Sequence, residues 1–124
     1  MNNFEAFNLF FAPCEGAAYI KDPFTLPTLA ELEAMCDGSG RRVYFIALHE
    51  VIKIGVAGDV ADRVSALQVG CPYELKLLGS IKGGPRAETA LHAALGIYRV
   101  RGEWFMAPKE VRAAIRGLLK EVAA

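Results

Sequence analysis

The stretches RVYFIAL at residues 42–48 and VIKIGVA at residues 51–57 decide the fold of this chain. Both are rich in β-branched and aromatic residues, which favour extended backbone. Only His49 and Glu50 separate them, so the two stretches predict a β-hairpin. No helix-forming segment lies between them, which argues against a parallel, doubly wound sheet.

The apolar residues of this hairpin suggest a register for its two strands. If Val43 lies opposite Ile54 on the core face, Tyr44 lies opposite Lys53, because directly opposed residues share a face. Tyr44 and Lys53 would then project together from the other face, beside Gly55. We therefore predict a phenol and an ammonium group side by side on one face of the sheet. The alternative is an ordinary strand tyrosine beside a lysine that extends to solvent.

Hydrophobic periodicity and helix-capping residues predict the remaining helices and strands. Thr28 and Glu31 form a capping-box pattern, and Asp59 is a good N-cap. The pattern predicts helices at about 29–36, 60–69, 85–95 and 109–122, a third strand at 74–82 and an extended segment at 103–106. The expected fold is α+β, with a small, mostly antiparallel three-stranded sheet flanked by helices and a short helical N-terminal extension.

A glycine-bearing turn at residues 37–40 divides the chain into an acidic extension, 1–40, and a main module, 41–124. The extension carries one basic residue against six acidic ones, and the module thirteen against eight. A mildly basic module is compatible with a polyanionic partner. The extension also holds four phenylalanines at helical spacing, which either dock on the domain's own core or form a surface for a partner or a homodimer: Phe4, Phe7, Phe10 and Phe11.

Composition excludes several classes of protein. Hydrophobic residues make up 53% of the 124 residues and charged residues 23%, which is typical of a folded domain with a real core. No apolar run approaches the ~20 residues of a membrane span, and the N-terminus lacks the features of a signal peptide. The three cysteines are scattered and show no zinc-binding spacing, as expected in a reducing cytoplasm.

Three further side chains have chemical potential. Arg63 lies on the flank of the predicted 60–69 helix, close to the end of the second strand, where a guanidinium can hold a phosphate with two hydrogen bonds. Glu88 and His92 are four residues apart, so they share a helix face, and a carboxylate there is an oxygen ligand of the kind that Mg²⁺ prefers. Each of these residues is also common on ordinary helix surfaces.

Taken together, these residues resemble the GIY-YIG endonuclease superfamily, and most closely its phage and bacterial branch. The resemblance covers about residues 41–106. It is carried by Val43-Tyr44-Phe45-Ile46, Lys53-Ile54-Gly55, Asp59-Val60, Arg63-Val64, Leu67-Gln68, Glu88, Leu91-His92 and Arg101-Gly102-Glu103-Trp104-Phe105.

The resemblance implies a role for each matching residue. Tyr44, assisted by Lys53, would activate the attacking water, Arg63 would hold the scissile phosphate and Glu88 would bind a divalent metal, Mg²⁺ or Mn²⁺. His92 would carry a proton or contact phosphate, while Gly55 and Arg101 would lie at the approach of the substrate. The chain departs from the family pattern at Arg42, which replaces the first glycine, and at Lys53, which replaces the second tyrosine.

The expected function is therefore that of a cytoplasmic, metal-dependent endonuclease that hydrolyses phosphodiester bonds in DNA. The sequence leaves open whether the DNA is double-stranded, single-stranded or branched, and whether RNA serves instead. Two alternatives keep the same fold without catalysis: a nucleic-acid-binding module, which Lys53 in place of tyrosine favours, and a protein-interaction domain that uses the phenylalanines of the extension.

Overall fold

A computed structural model describes residues 24–123 of the chain. Its elements are four α-helices and five strands: α1 (Leu29–Ala34), β1 (Arg42–Leu48), β2 (Val51–Ala57), α2 (Val60–Val69), β3 (Lys76–Lys82), α3 (Pro85–Ala94), β4 (Arg99–Arg101), β5 (Trp104–Met106) and α4 (Lys109–Ala123). A single turn of 3₁₀-helix at Gly96–Tyr98 joins α3 to β4. The expected α+β class is confirmed.

The sheet has five strands in the order β3-β1-β2-β5-β4, and every neighbouring pair is antiparallel. The expectation of three strands is therefore wrong. The two additional strands have three residues each, and β4 gave no sequence signal of its own. Strands this short are stabilised by the neighbour with which they pair rather than by local preference.

The hairpin of β1 and β2 is confirmed, but its register differs from the predicted one by two residues. Tyr44 lies opposite Gly55, and Lys53 lies opposite Ile46. The two-residue turn sets this register, since it places Leu48 opposite Val51. A shift of two residues keeps every side chain on its predicted face, so Tyr44 and Lys53 still project from the same face.

The main core lies on the opposite face of the sheet, under α1, α3 and α4. It contains Val43, Phe45, Ile52 and Ile54 of the hairpin, together with buried residues of the three helices: Leu32, Ala87, Leu91, Val111, Ile115 and Leu118. Burial of these side chains removes apolar surface from water, at about 25 cal/mol per Å². Leu29 and Leu32 of α1 thus pack in the same core as the hairpin.

Local sequence stabilises the start of helix α1, and packing against the core holds the helix in place. The Glu31 backbone N–H donates to the Thr28 hydroxyl at 3.1 Å, and the Thr28 N–H donates to the Glu31 carboxylate at 3.1 Å. This capping box is the predicted one. The six-residue helix is too short to be stable alone, and the fully buried Leu32 ties it to α4 and the sheet.

A smaller apolar cluster lies on the other face of the sheet, under α2. Tyr44 and Ile46 are fully buried there, and the partly buried Val60, Val64 and Leu67 of α2 pack against them. None of the α2 residues is fully buried, so this face is covered only in part. The site described next lies on this face.

The predicted homodimer surface and the predicted absence of a membrane span concern the whole chain, of which the structure describes residues 24–123. Phe4, Phe7, Phe10 and Phe11 are outside the described residues, and nothing within 24–123 supports a homodimer. Within the same residues, no helix has the length and apolar character that a bilayer crossing requires.

Candidate functional site

Tyr44 and Gly55 form the floor of the site. They face each other across β1 and β2, and both are buried. A Cβ placed on Gly55 would lie 2.6 Å from the Tyr44 Cζ atom, closer still to its hydroxyl oxygen, and 3.0 Å from Glu103 Oε1. Glycine is therefore required here because the tyrosine ring and a carboxylate occupy the space of a side chain. The resemblance placed Gly55 at the substrate approach, whereas the structure places the Tyr44 ring over it.

The Tyr44 hydroxyl is fully buried, and among the described residues it has no hydrogen-bond partner. A buried hydroxyl without a partner costs about 1–3 kcal/mol, and such groups are rare in folded proteins. The cost is tolerated at sites where a ligand or substrate supplies the missing partner. This single atom is the strongest local sign of function in the described part of the chain.

Arg63 lies beside that hydroxyl because of where α2 begins. Asp59 caps the helix, accepting from the Asp62 N–H at 2.9 Å, and its carbonyl accepts from the Arg63 N–H at 3.1 Å. The first turn therefore holds Arg63 next to the end of β2. The Tyr44 hydroxyl and then the Glu103 carboxylate raise the pKa of Arg63, although the contact with Tyr44 falls short of hydrogen-bond geometry. The exposed guanidinium is thus a fixed positive charge open to an anion.

Glu103 joins the site through an ion pair with Lys53. Lys53 Nζ lies 2.9 Å from Glu103 Oε1, and the ammonium also lies 5.4 Å from the centre of the Trp104 ring. The backbone fixes Glu103 as well, because the Ile54 N–H donates to its carbonyl at 3.0 Å. The sequence reasoning did not assign a role to Glu103. Its place follows from the pairing of β5 with β2, which no local pattern revealed.

Helix α3 reaches the site at a gap in the sheet. The β2–β5 ladder ends at Lys53. Beyond it, the Ile54 N–H still donates to the Glu103 carbonyl, but the Ile54 carbonyl is left to a partner outside β5. His92 Nε2 lies 2.8 Å from the Ile54 carbonyl, and the imidazole therefore carries its proton on Nε2 and donates it there. The ring also packs against Phe105, with centroids 5.0 Å apart. His92 thus attaches α3 to β2, and its Nε2 is not free for the predicted proton transfer or phosphate contact.

Glu88, one turn before His92, faces the carboxylate of Glu103. Partial burial raises the pKa of Glu88, the negative charge of Glu103 raises it further, and the neighbouring His92 and Lys53 oppose the change. A hydrogen bond with the Glu103 carboxyl group also contributes to the raised pKa of Glu88. Glu88 is thus linked through Glu103 to the space over Gly55.

The structure thus links four of the predicted residues in one chain of neighbours. Arg63 lies beside the Tyr44 hydroxyl over Gly55, and Lys53 and Glu88 are linked to Glu103, which borders the same space. Arg101 is exposed on the edge strand β4, where its backbone pairs with Trp104, and its side chain makes no hydrogen bond or ion pair within residues 24–123. Trp104 is half-buried and packs on the smaller cluster, whereas Phe105 belongs to the main core.

The donor set fits a hard divalent cation with few protein ligands. Within the described residues, no group of three or more His, Cys, Asp or Glu side chains could hold a metal ion, which argues against a structural zinc site there. The Glu88 carboxylate could supply one oxygen ligand, and the unpartnered Tyr44 hydroxyl borders the nearby space over Gly55. Mg²⁺ and Mn²⁺ accept such sites because water and phosphate oxygens complete their coordination.

Comparison with known proteins gave one family. The family model of the T5orf172 domain matches residues 41–119, and no GIY-YIG family model matches. The expected membership of the GIY-YIG superfamily is therefore wrong, and the roles that it implied for individual residues now depend on the geometry alone. Neither the curated proteins nor the solved structures gave a match.

Proposed function

The chain belongs to the T5orf172 domain family, and from this premise we propose that it is a divalent-metal-dependent endonuclease that hydrolyses phosphodiester bonds in DNA. The family is a nuclease-like or DNA-binding one, which supports a function related to nucleic acid. One observation carries the finer proposal: a buried, unpartnered phenol, an exposed guanidinium and a carboxylate from three elements meet around Gly55.

Arg63 binds the scissile phosphate in this proposal. Its guanidinium is exposed, its backbone is held in the first turn of α2, and helix N-termini favour anions. A guanidinium forms two parallel hydrogen bonds with phosphate oxygens and stabilises the charge that grows on them during hydrolysis.

Tyr44 orients the attacking water and, as the phenolate, would accept its proton as the new P–O bond forms and the leaving oxygen departs. Its hydroxyl lies beside Arg63 and has an unused hydrogen-bonding capacity that a water molecule or a phosphate oxygen would satisfy. Glu88 would hold Mg²⁺ or Mn²⁺, which supplies Lewis-acid stabilisation of the phosphate oxygens when bound. His92 is a positioning residue, because its bond to the Ile54 carbonyl orients α3 and therefore Glu88.

A second candidate function is nucleic-acid binding without cleavage. It is favoured by the engagement of Lys53, whose side chain is only 13% exposed and whose ammonium is held by Glu103, so that it is not free to assist Tyr44. In that case Arg63 still binds phosphate, but no water is activated. The same experiment separates the two functions.

The test incubates the full chain with supercoiled plasmid, linear duplex, single-stranded and branched DNA, and RNA, each with Mg²⁺, Mn²⁺ or EDTA. We expect metal-dependent cleavage of DNA that falls by about 10²–10³-fold in Tyr44→Phe, Arg63→Ala and Glu88→Gln. Arg116→Ala and Glu121→Gln are matched controls, because both residues are exposed on α4, on the opposite face of the sheet.

Two outcomes would contradict the catalytic proposal. Equal cleavage by the wild type and by all three site variants would show that the activity lies elsewhere. Salt-dependent DNA binding with no cleavage under either metal, and loss of that binding in Arg63→Ala, would establish the binding module instead.

A further inference from the structure

Glu103 is a second acid at the site. Its Oε1 atom borders the space over Gly55, where a Cβ would lie 3.0 Å away. Ile54 brings Glu103 close to Glu88, because the Ile54 N–H donates to the Glu103 carbonyl and the Ile54 carbonyl accepts from His92, one turn after Glu88 on α3. The two acids come from different elements, α3 and the turn between β4 and β5. Gly102 takes a left-handed φ of 56° in that turn, which helps to direct Glu103 back toward β2.

The cation in direct contact with Glu103 is the ammonium of Lys53. It lies 2.9 Å from Glu103 Oε1, and its charge also acts on Glu88. A divalent cation between the two carboxylates would attract both of them more strongly than this single charge does. The positive charge of the Lys53 ammonium therefore lies where a divalent cation would bind to Glu103.

An independent observation points to a bound ligand in this space. The Tyr44 hydroxyl is fully buried, has no hydrogen-bond partner among residues 24–123, and lies over the same point of Gly55 as Glu103 Oε1. Acidic pairs alone are common on protein surfaces. A pair that shares its space with an orphaned buried hydroxyl is better explained by a bound ion and its water.

We propose that Glu103 is a second carboxylate ligand of the cation at Glu88, and that the Lys53 ammonium is a built-in competitor that the cation displaces from Glu103. This inference rests on the proposed metal dependence. It assigns Glu103 a direct role and gives Lys53 a function other than the activation of Tyr44.

The test measures metal affinity without nucleic acid, on the full chain. Mn²⁺ is titrated and its free form is followed by electron paramagnetic resonance, for the wild type and for Glu88→Gln, Glu103→Gln, Lys53→Met and the control Glu121→Gln. We expect Kd to rise more than tenfold in the two site carboxamides and to stay unchanged in the control. We expect Kd to fall about tenfold in Lys53→Met, since the competing ammonium is gone.

Trp104 supplies a second readout. It is the only tryptophan in the chain, and the Lys53 ammonium lies over its ring at 5.4 Å. Mg²⁺, which is diamagnetic, should therefore change the Trp104 emission of the wild type as the ammonium departs. The same titration of Lys53→Met should leave the emission unchanged although the metal binds.

The outcomes separate this inference from the proposed function. If the wild type binds neither cation, metal-dependent catalysis fails together with the inference. If Glu88→Gln loses Mn²⁺ but Glu103→Gln binds it as the wild type does, only the role of Glu103 is overturned. Weaker binding in Lys53→Met would overturn the competition. Glu103→Asp, which keeps the charge and shortens the side chain, replaces Glu103→Gln if circular dichroism shows that the latter is unfolded.

Discussion

Replacing Gly55 by alanine inserts a methyl group into space that the Tyr44 ring already fills. The new Cβ would lie 2.6 Å from Tyr44 Cζ, a distance that real Cβ contacts essentially never show. The ring cannot simply move away, because it is fully buried under α2. Either the ring shifts within a packed cluster or β2 moves away from β1, and each change breaks existing contacts.

The expected cost follows from two opposing effects. Overpacking of a filled core costs about 1–3 kcal/mol, and the clash with a rigid ring places Gly55→Ala toward the upper end. Alanine restricts the unfolded chain and returns about 0.4–1 kcal/mol. We therefore expect a net loss of about 2 kcal/mol in the free energy of unfolding. With a urea m-value of about 2 kcal/mol/M, the unfolding midpoint should fall by about 1 M.

The measurement is urea unfolding followed by circular dichroism, with Gly58→Ala as the matched control. A Cβ on Gly58 would meet no heavy atom within 4 Å, so that variant should be neutral or gain up to about 1 kcal/mol. The double variant Tyr44→Phe/Gly55→Ala should recover only part of the loss, because Cζ remains. Gly55→Ala with a midpoint equal to that of Gly58→Ala would refute the packing argument.

Three further changes test the supports of the fold. Thr28→Ala removes the cap of α1 and should cost about 1 kcal/mol in urea unfolding. Hydrogen bonds from Ser39 lower the pKa of Asp37 to about 2 from 3.8, so Asp37→Asn should lower the thermal midpoint above pH 3.8, with a difference that disappears as the pH falls through about 2. Arg112→Met removes a donor that binds the Ala107 carbonyl at 2.7 Å and should cost about 2 kcal/mol.

Each of these expectations can be contradicted by a direct comparison. Thr28→Ser keeps a hydroxyl cap and should match the wild type; the cap is unimportant if alanine does so as well. A thermal difference for Asp37→Asn that persists at pH 2 would show that charge on Asp37 is not its cause. Arg116 is exposed on the same helix, so Arg116→Met should leave the free energy of unfolding unchanged. An equal loss of stability in Arg116→Met would show that the Arg112 hydrogen bond is not the cause.

The β-branched and aromatic content of residues 42–57 was sufficient to predict the hairpin, and its apolar residues were sufficient to predict that Tyr44 and Lys53 share a face. It was not sufficient for the register, because a period of two fixes the face and leaves shifts of two residues open. The length of the turn held the missing information: two residues, His49 and Glu50, require Leu48 to lie opposite Val51. His49 takes the positive φ of 53° that such turns use.

The site shows the same division. Tyr44 and Lys53 were predicted on one face, and Glu88 and His92 on one helix face, from spacing alone. The donor role of His92 depends on the Ile54 carbonyl, which is free only because β5 ends its pairing at Lys53. Glu103 was within a quoted motif, but its meeting with Lys53 depends on the same pairing of distant strands.

The sequence by itself determined the α+β class, the capped starts of α1 and α2, and the faces on which the hairpin side chains lie, because these depend on neighbours within a few residues. Only the tertiary structure decided the five-strand order, the partner of each acid and the isolation of the Tyr44 hydroxyl. Those features depend on contacts between residues far apart in the chain. Bringing such residues together costs loop-closure entropy, which is offset only when the whole sheet forms. The family match over residues 41–119 supports a function related to nucleic acid.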